Sequence, residues 1–203
     1  MGKGRVKFEA RNTDMQKTVT YFEKTGPENT EKCLEIAGRA IDESGYKHIV
    51  VATTSGSAGV LFAEGLKDKD VNLVAVTHSS GFKEPNSLEL TQEARERIQS
   101  AGATIYTGTM ITHSLETALA KKFSGVYPTL LIAQTLRRFG EGVKVCCEIV
   151  MMAADAGLVP EDDEVMAVAG TGRGADTVTV IRSVTSKRFL DLKVLEILAK
   201  PRG

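Results

Sequence analysis

Residues 48–58 read His-Ile-Val-Val-Ala-Thr-Thr-Ser-Gly-Ser-Ala, and this stretch decides the fold class. Its first half, His48–Ala52, is short and rich in β-branched apolar residues, which is typical of a strand covered on both faces. Its second half is small and polar, and the apolar run Ala58–Ala63 predicts a helix directly after it. A strand that passes through a polar loop into a helix is the repeating unit of α/β folds.

The same alternation extends in both directions along the chain. Further strands are predicted at Thr18–Phe22, Asn72–Thr77, Thr104–Thr107, Glu164–Ala169 and Asp176–Ile181. A terminal strand or short helix is predicted at Lys193–Leu198. Apolar residues at helical spacing, with Pro and Gly at the ends, predict helices over residues 27–45, 90–102, 114–123, 128–139 and 143–154.

The connection between the Glu164–Ala169 and Asp176–Ile181 strands determines the sheet type. Only the six residues Gly170–Ala175 separate these strands, too few for a crossover helix, so the two strands must form an antiparallel hairpin. We therefore predict one three-layer α/β/α domain over residues 1–203, with a mixed, mainly parallel sheet of five or more strands. The polar residues 1–17 are expected to form a loose N-terminal arm.

Composition excludes several classes of function. Lys plus Arg and Asp plus Glu both number 26, so the net charge is zero and offers no basic surface for nucleic acid or anionic membrane. We expect no signal peptide, because charged residues and no apolar run follow Met1, and no membrane span, because no apolar run approaches the ~20 residues that cross a bilayer. Its three cysteines, Cys33, Cys146 and Cys147, lack disulfide or metal spacing, so a cytoplasmic location is expected.

Small polar residues follow several predicted strands, at ends that should meet on one edge of the sheet. The candidate binding residues are Thr53, Thr54, Ser55, Gly56, Ser57, Thr77, His78, Ser79, Thr107, Gly108, Gly172, Arg173 and Gly174. The first loop, Thr53–Ser57, leads into a helix, where unpaired N–H groups and the helix dipole favour phosphate. We expect Gly56 to permit close approach of the ligand to the backbone. The alternative is that these hydroxyls only cap the helix.

Other motifs carry less information. Gly170-x-Gly172-x-x-Ala175 matches a dinucleotide fingerprint, but a strand rather than a helix follows, so we reject that interpretation. Arg173 is then either an anion ligand or an exposed arginine in a turn. His78 and His113 are candidate acids or bases, with a capping or solvated role as the alternative. The acidic run at residues 161–164 is interpreted as a solvated turn, with a divalent metal ion as the alternative, and no metal site is predicted.

Residues 49–58 resemble the strand, loop and helix of the C-terminal domain of pyruvate kinase, where this loop holds a phosphate of the allosteric sugar bisphosphate. Residues 73–77 resemble the next strand, and residues 156–179 resemble the end of that domain, where a Gly-rich hairpin closes over the effector. The similarity covers about residues 28–183. It implies a stand-alone protein of this kind from a microbial group, a phosphate at Thr53–Ser57, and Gly172–Gly174 on the facing loop. It also implies a homo-oligomer, because such domains meet one another in tetramers.

Thr53-x-Ser55-Gly56-x-Ala58 is also similar to the T/S-x-T/S-G-x-T phosphate loop of flavodoxins, although Ala58 departs from it. That resemblance implies flavin mononucleotide (FMN) as a candidate cofactor. The sequence therefore predicts binding of a phosphorylated small molecule. Two alternatives stay open: an enzyme acting on a phosphorylated metabolite, and a regulatory or assembly module whose loop binds no ligand.

Overall fold

The computed structural model describes residues 14–203. Residues 1–13 of the predicted N-terminal arm lie outside the described residues, and residues 14–17 belong to no helix or strand. Within the described range, the strands form one seven-stranded sheet in the order β1-β7-β6-β5-β2-β3-β4. The strands are β1 (Thr20–Phe22), β2 (His48–Ala52), β3 (Asn72–Thr77), β4 (Thr104–Thr107), β5 (Glu164–Ala169), β6 (Thr177–Arg182) and β7 (Lys193–Pro201).

The sheet is mixed and mainly parallel, as predicted. Strand β2 pairs in parallel with β3 and β5, β3 pairs in parallel with β4, and β1 pairs in parallel with β7. Strand β6 pairs antiparallel with both of its neighbours, β5 and β7. The hairpin inferred from the short loop at residues 170–175 is therefore confirmed. The terminal segment, left open between strand and helix, is a strand.

Six α-helices and three short 3-10 helices are described. The α-helices are α1 (Thr30–Ser44), α2 (Ser57–Leu66), α3 (Gln92–Ser100), α4 (Leu115–Phe123), α5 (Pro128–Leu136) and α6 (Glu141–Asp155). The 3-10 helices are Pro27–Asn29, Arg137–Phe139 and Ser186–Asp191. The first two lie within predicted helices, whereas the third was not predicted.

Local signals in the sequence fix the helix ends. Helix α1 ends at Gly45, whose φ of 73° places it in the left-handed region that glycine adopts readily. Helix α3 begins after Thr91, whose hydroxyl accepts a hydrogen bond from the N–H of Ala94. The predicted end of α1 at residue 45 is thereby explained by the left-handed conformation of Gly45.

The sheet lies between two helical layers, because both of its faces are apolar. Alternate residues of β2 point to opposite faces, so Ile49 and Val51 pack with α1, α2 and α3, whereas Val50 packs against α6. All three are fully buried, and each contributes roughly 1.5–3 kcal/mol of hydrophobic free energy. No helix in the described part of the chain is long and apolar enough to cross a membrane.

This topology gathers several chain segments at one edge of the sheet. The parallel strands β2, β3 and β5 all end there, and helices α1, α2 and α6 begin there. The candidate residues after each strand are consequently neighbours in space, although they are far apart in sequence.

Candidate functional site

A cleft of about 970 Å³ opens at this edge of the sheet. Its walls are the loop between β2 and α2, the loop after β3, the loop between β5 and β6, and the first turns of α6. Ligand pockets in proteins typically enclose about 300–1,000 Å³. The cleft is therefore large enough for a cofactor or a phosphorylated metabolite.

The loop between β2 and α2 presents hydroxyl and N–H groups to the cleft. Ser55 and Ser57 are exposed, and their Oγ atoms lie 3.4 Å apart. Within residues 14–203, the backbone N–H groups of Ser57 and Ala58 find no hydrogen-bond acceptor, as expected for the first turn of a helix. These free donors and the positive end of the α2 dipole make this wall attractive to an anion.

Thr53 has a structural contact. Its side chain is buried, and its Oγ1 accepts a hydrogen bond of 3.0 Å from the N–H of Gly59 in the first turn of α2. The capping interpretation thus describes Thr53, while Ser55 and Ser57 keep their hydroxyls in the cleft.

Gly56 serves the packing of the loop rather than the surface of the cleft. Its φ is 111°, and a Cβ at this position would lie 2.2 Å from the Cβ of Ala94 on α3. Gly56 is not among the residues that line the cleft. The expectation that it admits a ligand to the backbone is corrected here: glycine is needed because the backbone is left-handed and α3 leaves no room for a side chain.

The loop between β5 and β6 forms the facing wall and is held firmly. The fully buried carboxylate of Asp176 accepts hydrogen bonds from the N–H groups of Gly26 and Thr171, at 3.2 and 3.1 Å. The N–H of Ala175 donates to Thr30 Oγ1 at 3.0 Å. These bonds attach the loop to the start of α1.

Arg173 lies at the tip of this loop and lines the cleft. Its side chain is exposed, and among the residues described no carboxylate lies within 4.0 Å of its guanidinium group. Gly174 has a φ of 67°, and a Cβ there would lie 2.4 Å from Cα of Pro27, so the loop packs closely on the chain before α1. Gly172, with a φ of 79°, is exposed and has free space around it.

The loop after β3 contributes a histidine bound to a carboxylate. His78 Nδ1 lies 2.7 Å from Glu89 Oε2, and its Nε2 lies 3.4 Å from Thr54 Oγ1. Glu89 Oε1 lies 2.6 Å from Lys83 Nζ. Burial alone would raise the pKa of Glu89, but hydrogen bonds from Lys83 and His78 outweigh it and lower the pKa. The ring of Phe82 lies against that of His78, with centroids 4.1 Å apart.

The floor of the cleft contains a buried ion pair on α6. Lys144 Nζ lies 2.5 Å from Glu148 Oε2, and the two side chains are 1% and 3% exposed. The other oxygen of Glu148 accepts hydrogen bonds from the N–H and the hydroxyl of Thr112, both at 2.7 Å. Burial would raise the pKa of Glu148, but Lys144 and the Thr112 donors together lower it. Burial, reinforced by Lys144, lowers the pKa of the nearby His113.

Sequence analysis missed Lys144 and Glu148. The signal that could have revealed them is their spacing of four residues within an otherwise apolar helix. Twelve of the fifteen residues of α6 are buried, including both charged ones. Two opposite charges on the buried surface of such a helix indicate a polar site or a buried ion pair.

Some predicted site residues lie outside the cleft. Thr77 lines the cleft. The Thr77 hydroxyl lies 2.6 Å from the hydroxyl of Thr107, which does not line the cleft. Gly108 faces Tyr106, whose hydroxyl oxygen would lie 2.2 Å from a Cβ on the glycine. Ser79, Thr107 and Gly108 are therefore not part of the cleft lining. The candidate residues that the fold brings together there are Thr53, Thr54, Ser55, Ser57, Thr77, His78, His113, Gly172, Arg173 and Gly174.

Comparison with known proteins shows one family and several solved structures to which this chain is similar. A family model described as "Pyruvate kinase, alpha/beta domain" matches residues 31–181. A pyruvate kinase from Cryptosporidium parvum is 15% identical with a TM-score of 0.41, covering 76% of this chain and 23% of that one. The pyruvate kinase of that organism in complex with ADP is 16% identical with a TM-score of 0.41, covering 76% and 24%.

A pyridoxal 5'-phosphate-dependent aspartate racemase is 17% identical with a TM-score of 0.32, covering 70% of this chain and 47% of that one. The matched region spans only about a quarter of the length of the pyruvate kinases.

Proposed function

This chain belongs to the family of pyruvate kinase alpha/beta domains, and on that basis we propose that its cleft binds a phosphorylated small molecule. The observation that carries the proposal is that two anion-binding features from different loops line one cleft. The free N–H groups of Ser57 and Ala58 lie on one wall, and the guanidinium group of Arg173 belongs to the other. A phosphate between them would receive backbone hydrogen bonds and a bidentate charged contact.

The remainder of the cleft indicates what else the ligand carries. Beyond the phosphate loop, the floor is lined by apolar side chains of α6, namely Val145, Ile149 and Met152. The ring of Phe82 lies at the cleft as well. These surfaces suit a ligand with a flat or apolar body attached to its phosphate. FMN fits that description. A sugar bisphosphate is the second candidate, because Thr53–Ser57 resembles the loop that holds a sugar bisphosphate phosphate in the C-terminal domain of pyruvate kinase.

Pairs of ligands that differ only by phosphate test this proposal. We would measure binding to purified protein by thermal shift and calorimetry, using FMN against riboflavin and fructose bisphosphate against fructose. At least one phosphorylated member should bind, and its unphosphorylated partner should bind much more weakly. The absorbance spectrum of freshly purified protein would reveal retained flavin. Equal binding of the two members of each pair, or binding of neither, would contradict the proposal.

Arg173→Glu provides the matching variant. It removes a charge-assisted contact of roughly 1.5–3 kcal/mol, so affinity should fall at least tenfold. The exposed Arg39 of α1 offers the control, since Arg39→Glu makes the same charge change away from the cleft. Both variants should unfold at nearly the wild-type temperature. Equal affinities of the two variants would remove Arg173 from the site.

We also propose that the chain forms a homo-oligomer through exposed apolar side chains of α4 and of the residues that follow it. Leu115, Leu119 and Phe123 recur every four residues along α4, and all three are exposed. Three more exposed apolar side chains follow at Val126, Leu131 and Phe139. At roughly 100 Å² each, the six would supply much of the ~800 Å² that one partner buries in a standard interface. A second copy presents the same apolar surface and is therefore a complementary partner.

Analytical ultracentrifugation tests this assembly. Wild type should sediment as a dimer or larger species at micromolar concentration, and Phe123→Asp should shift it to monomer. Leu190→Asp, which changes an exposed leucine outside α4, should leave the oligomer intact. A wild-type monomer would contradict the proposal.

A further inference from the structure

Thr54, His78 and Glu89 lie in a row at the cleft, in the order hydroxyl, imidazole, carboxylate. Thr54 Oγ1 is 3.4 Å from His78 Nε2, and His78 Nδ1 is 2.7 Å from Glu89 Oε2. The three residues come from two loops that follow neighbouring strands, β2 and β3. All three line the cleft, so a ligand can reach the hydroxyl end of the row.

The hydrogen bond to Glu89 selects the tautomer of the His78 ring. Glu89 is held as a carboxylate, because Lys83 and His78 together lower its pKa against the effect of burial. A carboxylate only accepts hydrogen bonds, so in the tautomer that satisfies Glu89 the proton lies on Nδ1 and Nε2 is an acceptor. Nε2 can therefore accept the hydroxyl proton of Thr54. This arrangement activates a hydroxyl nucleophile in unrelated enzymes, and the contact is often loose before substrate binds.

Unpaired N–H groups belong to the same loop as the Thr54 hydroxyl and to the helix start that follows it. The N–H of Ser55 follows Thr54 directly in the chain, and those of Ser57 and Ala58 begin α2. Over residues 14–203, none of these three N–H groups has a hydrogen-bond acceptor. Backbone N–H groups at a helix start stabilise the oxyanion of a tetrahedral intermediate. Within the described residues, the Thr54 hydroxyl makes no hydrogen bond other than the one to His78.

We propose that Thr54 and His78 are the catalytic nucleophile and base of an acyl-transfer site that hydrolyses carboxylic esters, with Glu89 as the positioning residue. This activity goes beyond the proposed phosphate binding and does not depend on it. Because the same N–H groups would serve both, a phosphorylated ligand bound there blocks the ester.

The reaction has two steps. In the first, Nε2 takes the Thr54 proton as Oγ1 bonds to the carbonyl carbon, and the bond to the alcohol oxygen breaks. The leaving alcohol carries the bonding electron pair and receives the proton from the imidazolium. In the second, Nε2 takes a proton from water as its oxygen attacks the acyl carbon, and Oγ1 leaves and recovers that proton. The net reaction converts ester and water into acid and alcohol, without oxidation or reduction.

Hydrolysis of p-nitrophenyl acetate by the full chain tests the proposal. Thr54→Val preserves the side-chain shape without the hydroxyl, and its turnover should fall at least a hundredfold. Thr54→Ser keeps the hydroxyl and should retain turnover within about tenfold. His78→Gln should lower turnover as much as Thr54→Val does. Glu89→Gln should lower kcat while leaving KM nearly unchanged, whereas a merely structural loss would lower the folded fraction seen by circular dichroism.

A covalent readout separates this site from incidental esterase activity. After acid quench, mass spectrometry should find an acetyl group on the peptide containing Thr54 in wild type and in Thr54→Ser, but not in Thr54→Val. Hydrolysis by Thr54→Val within threefold of wild type, or no hydrolysis by folded wild type, overturns the proposal.

Ligand binding is measured separately on the same variants. If the wild type binds FMN or fructose bisphosphate but hydrolyses no ester, the catalytic roles of Thr54, His78 and Glu89 are rejected and the phosphate site is retained. Ester hydrolysis by a wild type that binds neither FMN nor fructose bisphosphate would instead reject the phosphate site alone.

Discussion

Removal of the buried lysine at the floor of the cleft should strongly destabilise the fold. Lys144→Met replaces the ammonium group with an apolar side chain of similar length and leaves the Glu148 carboxylate without its 2.5 Å partner. Glu148 is 3% exposed, so water cannot replace the lost charge. Breaking a buried ion pair in this way typically costs about 3–5 kcal/mol. At about 2–4 °C per kcal/mol for a chain of this size, the midpoint temperature should fall by roughly 6–20 °C.

The effect should depend on pH with a defined sign. In wild type the pKa of Glu148 is lowered from its ordinary value of 4.5, so its stabilising contribution is present above that value and is lost in acid. Without Lys144, burial dominates and raises the pKa of Glu148. Protonation of Glu148 then reduces the stability loss of the Lys144→Met variant as the pH falls from neutrality toward 4.5. The difference in stability between the two proteins should narrow over that interval.

Urea unfolding followed by circular dichroism at several pH values measures both effects. Lys122→Met, at an exposed lysine of α4, is the control and should change stability by no more than about 0.5 kcal/mol. Lys144→Met combined with Glu148→Gln removes the isolated charge and should recover part of the loss. A Lys144→Met variant within 1 kcal/mol of wild type, or a difference that widens in acid, would refute this account of the pair.

Three further expectations concern the scaffold around the cleft. Gly56→Ala should cost more than ~1 kcal/mol in urea unfolding, because its Cβ would lie 2.2 Å from that of Ala94 at a φ of 111°; an unchanged midpoint would argue against this packing. The three cysteines should react with Ellman's reagent only after unfolding, because all are buried and burial raises the pKa of Cys33 to about 12. Rapid reaction of native protein would contradict that. Asp176→Asn should loosen the β5–β6 loop and accelerate tryptic cleavage after Arg173, since the carboxylate holds two backbone N–H groups; an unchanged cleavage rate would show that other contacts hold the loop.

Much of the fold could be predicted because its strands carry a strong local signal. Strands β2 and β3 are covered on both faces, so each forms an uninterrupted apolar run that polar residues terminate, and the predicted bounds match the structure. The 3-10 helix Ser186–Asp191 has no buried residue and therefore no apolar periodicity to reveal it.

The site was less predictable, because its members meet only through the tertiary fold. The sequence indicated that loops after parallel strands converge, which brought Ser55, His78 and Arg173 to one cleft. It could not show that Gly56 faces α3, since the position of α3 depends on packing between distant segments. The partnership of His78 with Glu89 likewise depends on the course of the loop after β3.

The central claim is that a phosphate binds at the start of α2 opposite Arg173, and backbone amide NMR tests it most directly. A transverse-relaxation-optimised ¹H–¹⁵N spectrum would be recorded during titration with FMN and, separately, with fructose bisphosphate. At least one ligand should shift the amide resonances of Ser57 and Ala58 most strongly, with smaller shifts at Gly172–Gly174. Riboflavin and fructose should not produce the shifts at α2. Saturable binding that leaves the Ser57 and Ala58 resonances in place, or no shift with either ligand, would contradict the claim.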